Sequence, residues 1–459
     1  MPSAQHSRKP STRAALPRRT TKGPLDALAD PLSIPVASTP SPSLLAESQP
    51  DLLPQEDLVQ TVTQAQQPTA QPSGPIEEQT VEERDLSFLL DASIYHPLSQ
   101  LETPGPFRRP FLPPPTSDTI AQSLEQLDPL LSRCEFLRAA QFSGSILTSG
   151  ALRPTDSKTV FRLLAIRYSC LELSGNVLLA AQEAKALEDL SSSFYYEDSP
   201  SEKPGGDDAE ESDAVPHHIM PFSLRLQALR LQSIGFSDPR RGVTSLYDVA
   251  FECRRHLSAS STSSDERKAW SERLHEVSIR VVNALIEMGD FDCALRTLES
   301  MKQIGHVNQA LWTTRMVLLL LKMGDLAHAH TLAGSSRLSA QEKSAINSVI
   351  AIGEGDYDET AKALSDCEAN IDPAVRALVR QNLAVANLYK GEVRKSRQIL
   401  EELVNEGYSF QALTINLATV YDLSSDKSRD LKMSMVSDVA EQKRDTGHSR
   451  SFSNADFKL

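Results

Sequence analysis

The sequence predicts an all-α fold, a superhelix of stacked helical hairpins behind a long disordered N-terminal tail. Its main support is a phrase repeated in the C-terminal half: a glycine, an acid, three residues, then a small or hydroxyl residue. Gly289-Asp290 leads to Ala294, Gly324-Asp325 to Ala329, Gly355-Asp356 to Thr360 and Gly391-Glu392 to Ser396. These glycines stand 35, 31 and 36 residues apart, and a period of about 34 residues marks a helical-hairpin solenoid. Each copy is flanked by apolar stretches of helix length, so the phrase reads as the tight turn between helix A and helix B. Composition supplies the other support, because residues 1–115 hold 20 of the 28 prolines.

A proline-rich segment with few aromatics cannot bury enough apolar surface to offset the entropy of ordering it. Residues 1–120 therefore read as a disordered Pro/Ser/Gln-rich tail. Residues 1–22 carry Arg8, Lys9, Arg13, Arg18, Arg19 and Lys22 with no acid. That superficially suits a mitochondrial presequence, but Pro2, Pro10 and Pro17 prevent a continuous amphipathic helix, and a basic tail is the better reading. One stretch of the tail differs: Asp85-Leu-Ser-Phe-Leu-Leu-Asp-Ala-Ser-Ile-Tyr-His-Pro97-Leu98. Leu86, Leu89, Leu90 and Ile94 fall at helical spacing, followed by Tyr95 and ended by Pro97. So short a helix needs a surface, either the chain's own solenoid or a partner's groove. Phe107-Arg-Arg-Pro-Phe-Leu-Pro-Pro-Pro115 then reads as an extended linker.

The solenoid is expected over residues 121–425. Leu124, Leu127, Leu131, Phe136 and Leu137 suggest a first helix interrupted at Pro129. A second follows Pro154, from about Lys158 to Leu173, and Gly175-Asn176 with Ala180 is a weaker copy of the turn, leading to a helix through Leu190. The acidic loop 197–218 holds eight acids against Lys203 between Glu197 and Asp213, half of the net charge of −14. Such a run reads as solvated. Phe222 to Ile234 forms the next helix, Gly235 turns it into residues 240–257, and the Ser/Thr stretch 258–264 sets this hairpin apart. The repeat is then nearly unbroken to Asp422. A capping helix at 426–445, apolar at Leu431, Met435, Val436 and Val439, covers the last exposed face, before a tail at 446–459.

The register explains its own residues. Glycine ends helix A because it adopts left-handed angles without a Cβ penalty, and the next acid suits the positive end of helix B. The small residue lets the two helices approach. Leu298, Met301, Leu364, Leu400 and Leu403 fill the grooves between hairpins. This register resembles a tetratricopeptide repeat. It lacks that family's tryptophan near the start of helix A and most of its final prolines, Pro373 being one survivor.

No residues form an active site, and none forms a cofactor or metal site. Gly353-Glu354-Gly355 lacks the Lys-Ser/Thr of a phosphate loop. His328 and His330 point to different sides of a helix with no carboxylate in register, and His217-His218 ends an acidic loop. No serine stands in a Gly-x-Ser-x-Gly elbow. Five scattered cysteines give neither a disulfide framework nor a zinc site; Cys170 and Cys367 read as core residues. The acidic balance argues against nucleic acid. Nothing recommends a small-molecule substrate, and no apolar run reaches the ~20 residues of a membrane span. A carboxylate-gripping, chaperone-type repeat would need Lys and Asn ten and six residues before the turn glycine. The pairs there are Ala165 and Ser169, Ile279 and Asn283, Thr314 and Leu318, Ala345 and Val349, and Gln381 and Val385. A free adaptor or co-chaperone binding partner peptides remains the alternative.

Three stretches lie outside what hairpin packing demands: Ser193-Phe-Tyr-Tyr-Glu197, Met220-Pro-Phe-Ser-Leu-Arg-Leu226 and Ile415-Asn-Leu-Ala-Thr-Val-Tyr-Asp-Leu-Ser-Ser425. With the order of elements and the final Phe457-Lys458-Leu459, they resemble the subunit 12 family of the TRAPP vesicle-tethering complex over roughly residues 130–459. The enlarged 198–218 insertion, the 258–264 linker and the long tail depart from that pattern. The resemblance implies a non-catalytic scaffold subunit of a TRAPP III-type assembly, acting in endoplasmic-reticulum-to-Golgi transport and autophagy. It implies other TRAPP subunits as partners in a large hetero-oligomer, and indirect association with a Rab GTPase and with membranes. The expected location is the cytoplasm, peripherally on ER and Golgi membranes. The partner-binding candidates are Leu86, Leu89, Leu90, Ile94 and Tyr95 of the tail motif, with Tyr195, Tyr196 and Phe222 of the family stretches.

Overall fold

The computed structural model describes residues 84–115, 120–197, 216–259, 262–301, 308–336, 338–367 and 373–446. Sequence expectations for 1–83, for most of the acidic loop and for 447–459 lie outside these residues. Among the described residues there are sixteen α-helices and no strand, arranged as a superhelix of hairpins. The N-terminal hairpins are α1 Ile120–Ser132 with α2 Phe136–Leu147, α3 Ser157–Leu173 with α4 Val177–Glu183, α5 Phe222–Gly235 with α6 Pro239–Ser258, and α7 Ser264–Met288 with α8 Phe291–Ser300. Next come α9 Gln309–Met323 with α10 Leu326–Ser335 and α11 Ala340–Glu354 with α12 Tyr357–Cys367. The last two are α13 Pro373–Tyr389 with α14 Val393–Asn405, and α15 Gln411–Ser424 with α16 Ser428–Thr446.

The turn phrase takes the conformation its residues demand. Gly289, Gly324, Gly355 and Gly391 have φ of 78°, 82°, 80° and 85°. Asp290, Asp325 and Asp356 each accept the backbone N–H three residues on, capping helix B. Glu392 makes no such bond. The small residue five after the glycine is fully buried in five hairpins, as Ala180, Ala294, Ala329, Thr360 and Ser396.

Several elements differ from the sequence reading, each for a local reason. Pro129 does not interrupt α1; it lies in the last turn, where its missing N–H forfeits one intrahelical bond and the helix ends three residues later at Ser132. The helix after Asn176 stops at Glu183, and a 3-10 turn, Ala184–Leu187, continues to Glu188 at φ 54°. Gly235 is not the turn residue. It ends α5, and a Cβ there would stand 2.4 Å from the Ala181 carbonyl oxygen, so its role is close approach of α5 to α4. Ser237 takes the left-handed position instead, at φ 54°. Nor does the Ser/Thr stretch set a hairpin apart. Ser263 and Glu266 form a capping box on α7, and the Trp270 ring stacks on His256 of α6 at 3.8 Å. Tryptophans do stand early in two A helices, Trp270 in α7 and Trp312 in α9, where the Trp312 indole donates to the Leu298 carbonyl at 2.8 Å. His328 and His330 are exposed as expected, yet each has a carboxylate, His328 with Asp325 and His330 with Glu354 at 2.7 Å.

The principal core runs without a break from Leu86 to Leu319, and a separate one joins α13 to α16 through Leu400, Leu413, Leu417 and Val436. Residues 84–115 form a strap over both. Leu112 packs on the first core, while Phe107, in a 3-10 turn at Gly105–Phe107, packs on the second beside α16. Arg109 pairs with Glu135, and Arg138 donates to the Pro110 carbonyl at 3.0 Å.

Candidate partner-binding site

The sequence-selected residues lie along one seam on the N-terminal hairpins. Its first node is built on α3. Arg167 occupies a core register between Leu164 and Leu171 and is 2 % exposed. Its Nε and Nη2 donate to Glu183 Oε2 and Oε1 at 2.6 and 2.5 Å, a bidentate pair in which both side chains are buried. Nη1 donates to the Ala140 carbonyl at 2.8 Å. Gly144 makes the room, since a Cβ there would lie 2.4 Å from that nitrogen. The strap completes the node. The His96 N–H donates to Glu183 Oε1 at 2.9 Å, Arg167 Nη2 donates to the His96 carbonyl at 3.2 Å, and Tyr95 lies under the guanidinium, 5.0 Å from its ring centroid. Burial pushes the Tyr95 and Tyr168 hydroxyls well above the ordinary tyrosine range.

The strap motif is not the α-helix its spacing predicts. Ser87–Leu90 and Ala92–Ile94 are separate 3-10 turns, because the Asp91 side chain accepts the Ser93 N–H and restarts the chain between them. Leu86 and Leu89 are fully buried, and the Leu86 N–H donates to the Pro154 carbonyl at 3.0 Å. Leu90, Ile94 and Tyr95 are half-buried.

A second node lies at the base of the acidic loop. An isolated antiparallel bridge between Tyr196 and His218 clasps the two ends of that loop. Arg225 donates to Glu252 Oε1 at 3.0 Å and to the Tyr196 hydroxyl at 2.9 Å, and that hydroxyl donates to Glu252 Oε2 at 2.9 Å. Burial alone would raise the Glu252 carboxyl, but the Arg225 hydrogen bond and charge hold it below its ordinary value. His218 stacks on Tyr195 at 5.5 Å, accepts the Met220 N–H at Nδ1, and has Nε2 3.1 Å from the Leu190 carbonyl. Those partners require the neutral Nε2–H tautomer, and burial with the nearby Arg225 charge pushes its pKa down to about 4. His256, on Trp270, is likewise pushed to about 4 by burial and by His217. Phe222 meets Trp270 edge to face at 6.4 Å, and Arg273 lies over both rings.

The strap joins the nodes. Arg84 donates to the Tyr196 carbonyl at 3.3 Å, and Phe88 meets Phe194 edge-on at 5.9 Å. Tyr195 is buried with its hydroxyl on the Leu187 carbonyl, whereas Tyr196 and Phe222 are half-buried. Leu86, Leu89 and Tyr195 thus pack inside the chain and shape the seam from beneath. Sequence reasoning missed Arg167, Glu183, Arg225, Glu252 and Trp270. For Arg167, Glu183 and Arg225 the signal was available: a charge at a register where its helical neighbours three and four away are apolar.

No family model matches the chain. Two curated relatives do: subunit 12 of the mouse trafficking protein particle complex, 23% identical over 365 residues, and its human counterpart, 24% identical over 368. Each alignment covers 72% of this chain, and 44% and 48% of the relative. The chain's family resemblance is to subunit 12. It spans about half the length of these relatives, and the matches agree with the family read from residues 193–197, 220–226 and 415–425. Among the described residues no group of three or more His, Cys, Asp or Glu could hold a metal, and no helix is long and apolar enough to cross a membrane.

Proposed function

We propose that this chain is a non-catalytic scaffold subunit of a TRAPP III-type tethering complex, serving endoplasmic-reticulum-to-Golgi transport and autophagy. Its helical-repeat surface would join other TRAPP subunits, with Rab GTPase and membrane association following indirectly through them. The observation that carries this reading is similarity to two proteins named as subunit 12 over 72% of the chain. An all-α superhelix supports it, since such a surface offers extended, dispersed contacts. The exposed parts of Leu90, Ile94, Tyr95, Tyr196 and Phe222 are the proposed contacts. The proposed division is an N-terminal tail to residue 120, whose residues 84–115 pack back as the strap, a solenoid over 121–425 and a cap at 426–445. Affinity capture from lysate, sized and identified by mass spectrometry, tests the function. Co-elution with other TRAPP subunits at high mass is expected. Recovery only as a monomer or bound to chaperones would overturn it and favour the free adaptor.

A further inference from the structure

Among the described residues the strap makes hydrogen bonds of longer range than those between neighbouring hairpins. Every hairpin is made by residues close in sequence, whereas Arg167 and Glu183 reach residues 71 and 87 positions earlier. What they grip is main chain. One carboxylate oxygen takes the His96 N–H while one guanidinium nitrogen gives to the His96 carbonyl, so the buried pair reads both polar groups of one residue's backbone. That is how a peptide receptor holds a ligand irrespective of its side chains. Side-chain selection comes from two fully buried leucines three apart, Leu86 and Leu89, and from the Tyr95 ring against Arg167. Between these anchors Asp91, Ala92 and Ser93 are exposed, and Ser87–Leu90 rests beside Ala184–Leu187. The receptor side is built from hairpin residues alone: Ala140, Gly144, Arg167 and Glu183 are held by one another, with the Arg167–Glu183 and Arg167–Ala140 bonds independent of the strap.

We propose that the groove formed by α2, α3 and α4 is a peptide-binding site, filled in cis by residues 84–98. Its ligand class is a short apolar segment folded into two 3-10 turns, with two leucines three apart, followed by an aromatic residue whose neighbour is read by its backbone. The strap is then a replaceable ligand, not a structural part of the superhelix. A covalently attached ligand competes at high effective concentration, so a free peptide enters only when the strap is weakened or detached.

The test uses a fluorescent synthetic peptide of residues 84–98 and the full chain. In one variant, Leu86→Asp and Leu89→Asp weaken the strap and leave the groove residues unaltered. The variant should bind the peptide saturably, the unaltered chain at least about tenfold more weakly because its groove is occupied. A peptide carrying the same two aspartates should bind neither. Should the variant fail to fold, a protease site placed between residues 115 and 120 of the otherwise unaltered chain detaches the strap after folding, and labelled peptide should then exchange into the groove. A variant that retains its helical circular dichroism yet takes no peptide overturns the proposal. So does a cleaved chain that never exchanges its strap.

Discussion

The N-terminal hairpins, α1 to α6, and the later ones, α7 to α16, solve the same packing problem by different means. From α7 to α14 each hairpin turns on a left-handed glycine followed by an acid and a buried small residue, and the acid caps the next helix in three of the four. None of their described ion pairs has both side chains buried, Arg380 with Glu402 being an example. The earlier hairpins turn through Cys134, Gly175 and Ser237 and hold two ion pairs with both side chains buried, Arg167–Glu183 and Arg225–Glu252. Repetition builds the superhelix. The irregular region carries the strap, the clasp of the acidic loop and the aromatic seam.

The largest expected difference between the regions lies in the buried charges. Glu183→Ala leaves the Arg167 guanidinium buried without its counter-charge and should cost about 3–5 kcal/mol in denaturant unfolding. Breaking Arg380–Glu402 by Glu402→Ala should cost no more than about 1 kcal/mol. Comparable losses at the two pairs would erase the distinction. Next come the close approaches: Gly144→Ala and Gly235→Ala should each cost about 1–3 kcal/mol, because the new methyl meets the Arg167 guanidinium and the Ala181 carbonyl respectively. A thermal melt resolves both. In the repeated turns, Gly289→Ala meets no neighbour but must hold φ at 78°, a cost of about 1 kcal/mol. Asp290→Ala should lose a similar amount with the cap.

The subtlest contrast is in pH dependence. His218 and His256 are neutral in the fold, with pKa values near 4, and return toward 6.5 on unfolding. The unfolded chain therefore binds more protons between these values. Their contribution is complete above about pH 6.5 and declines as pH falls toward 4. His218→Gln, which can still donate and accept, should flatten the fall in melting temperature between pH 7 and pH 5. An unchanged slope would remove His218 from the account.

Much of the architecture was legible because hairpin geometry constrains single residues. Gly289, Asp290 and Ala294 each have one job, and sequence spacing displays it. Gly235 misled because a glycine at a helix end serves equally for a turn or for close packing, and only the position of Ala181 decides. The strap motif misled because helical spacing of leucines also suits two 3-10 turns broken by Asp91. The seam itself was half legible: Tyr195, Tyr196 and Phe222 stood out because hairpin packing does not require them. Arg167 and Glu183 lie 16 residues apart in sequence, and nothing local announces that they meet.

Hydrogen exchange on the intact chain tests most directly whether the irregular N-terminal region holds the strap. The Leu86 and His96 amides should be strongly protected, and Glu183→Ala, which removes the acceptor of the His96 N–H, should strip protection from His96 before the turn amides of Asp290, Asp325 and Asp356 lose theirs. Exchange of Leu86 and His96 in the unaltered chain as fast as in a free peptide would contradict the account.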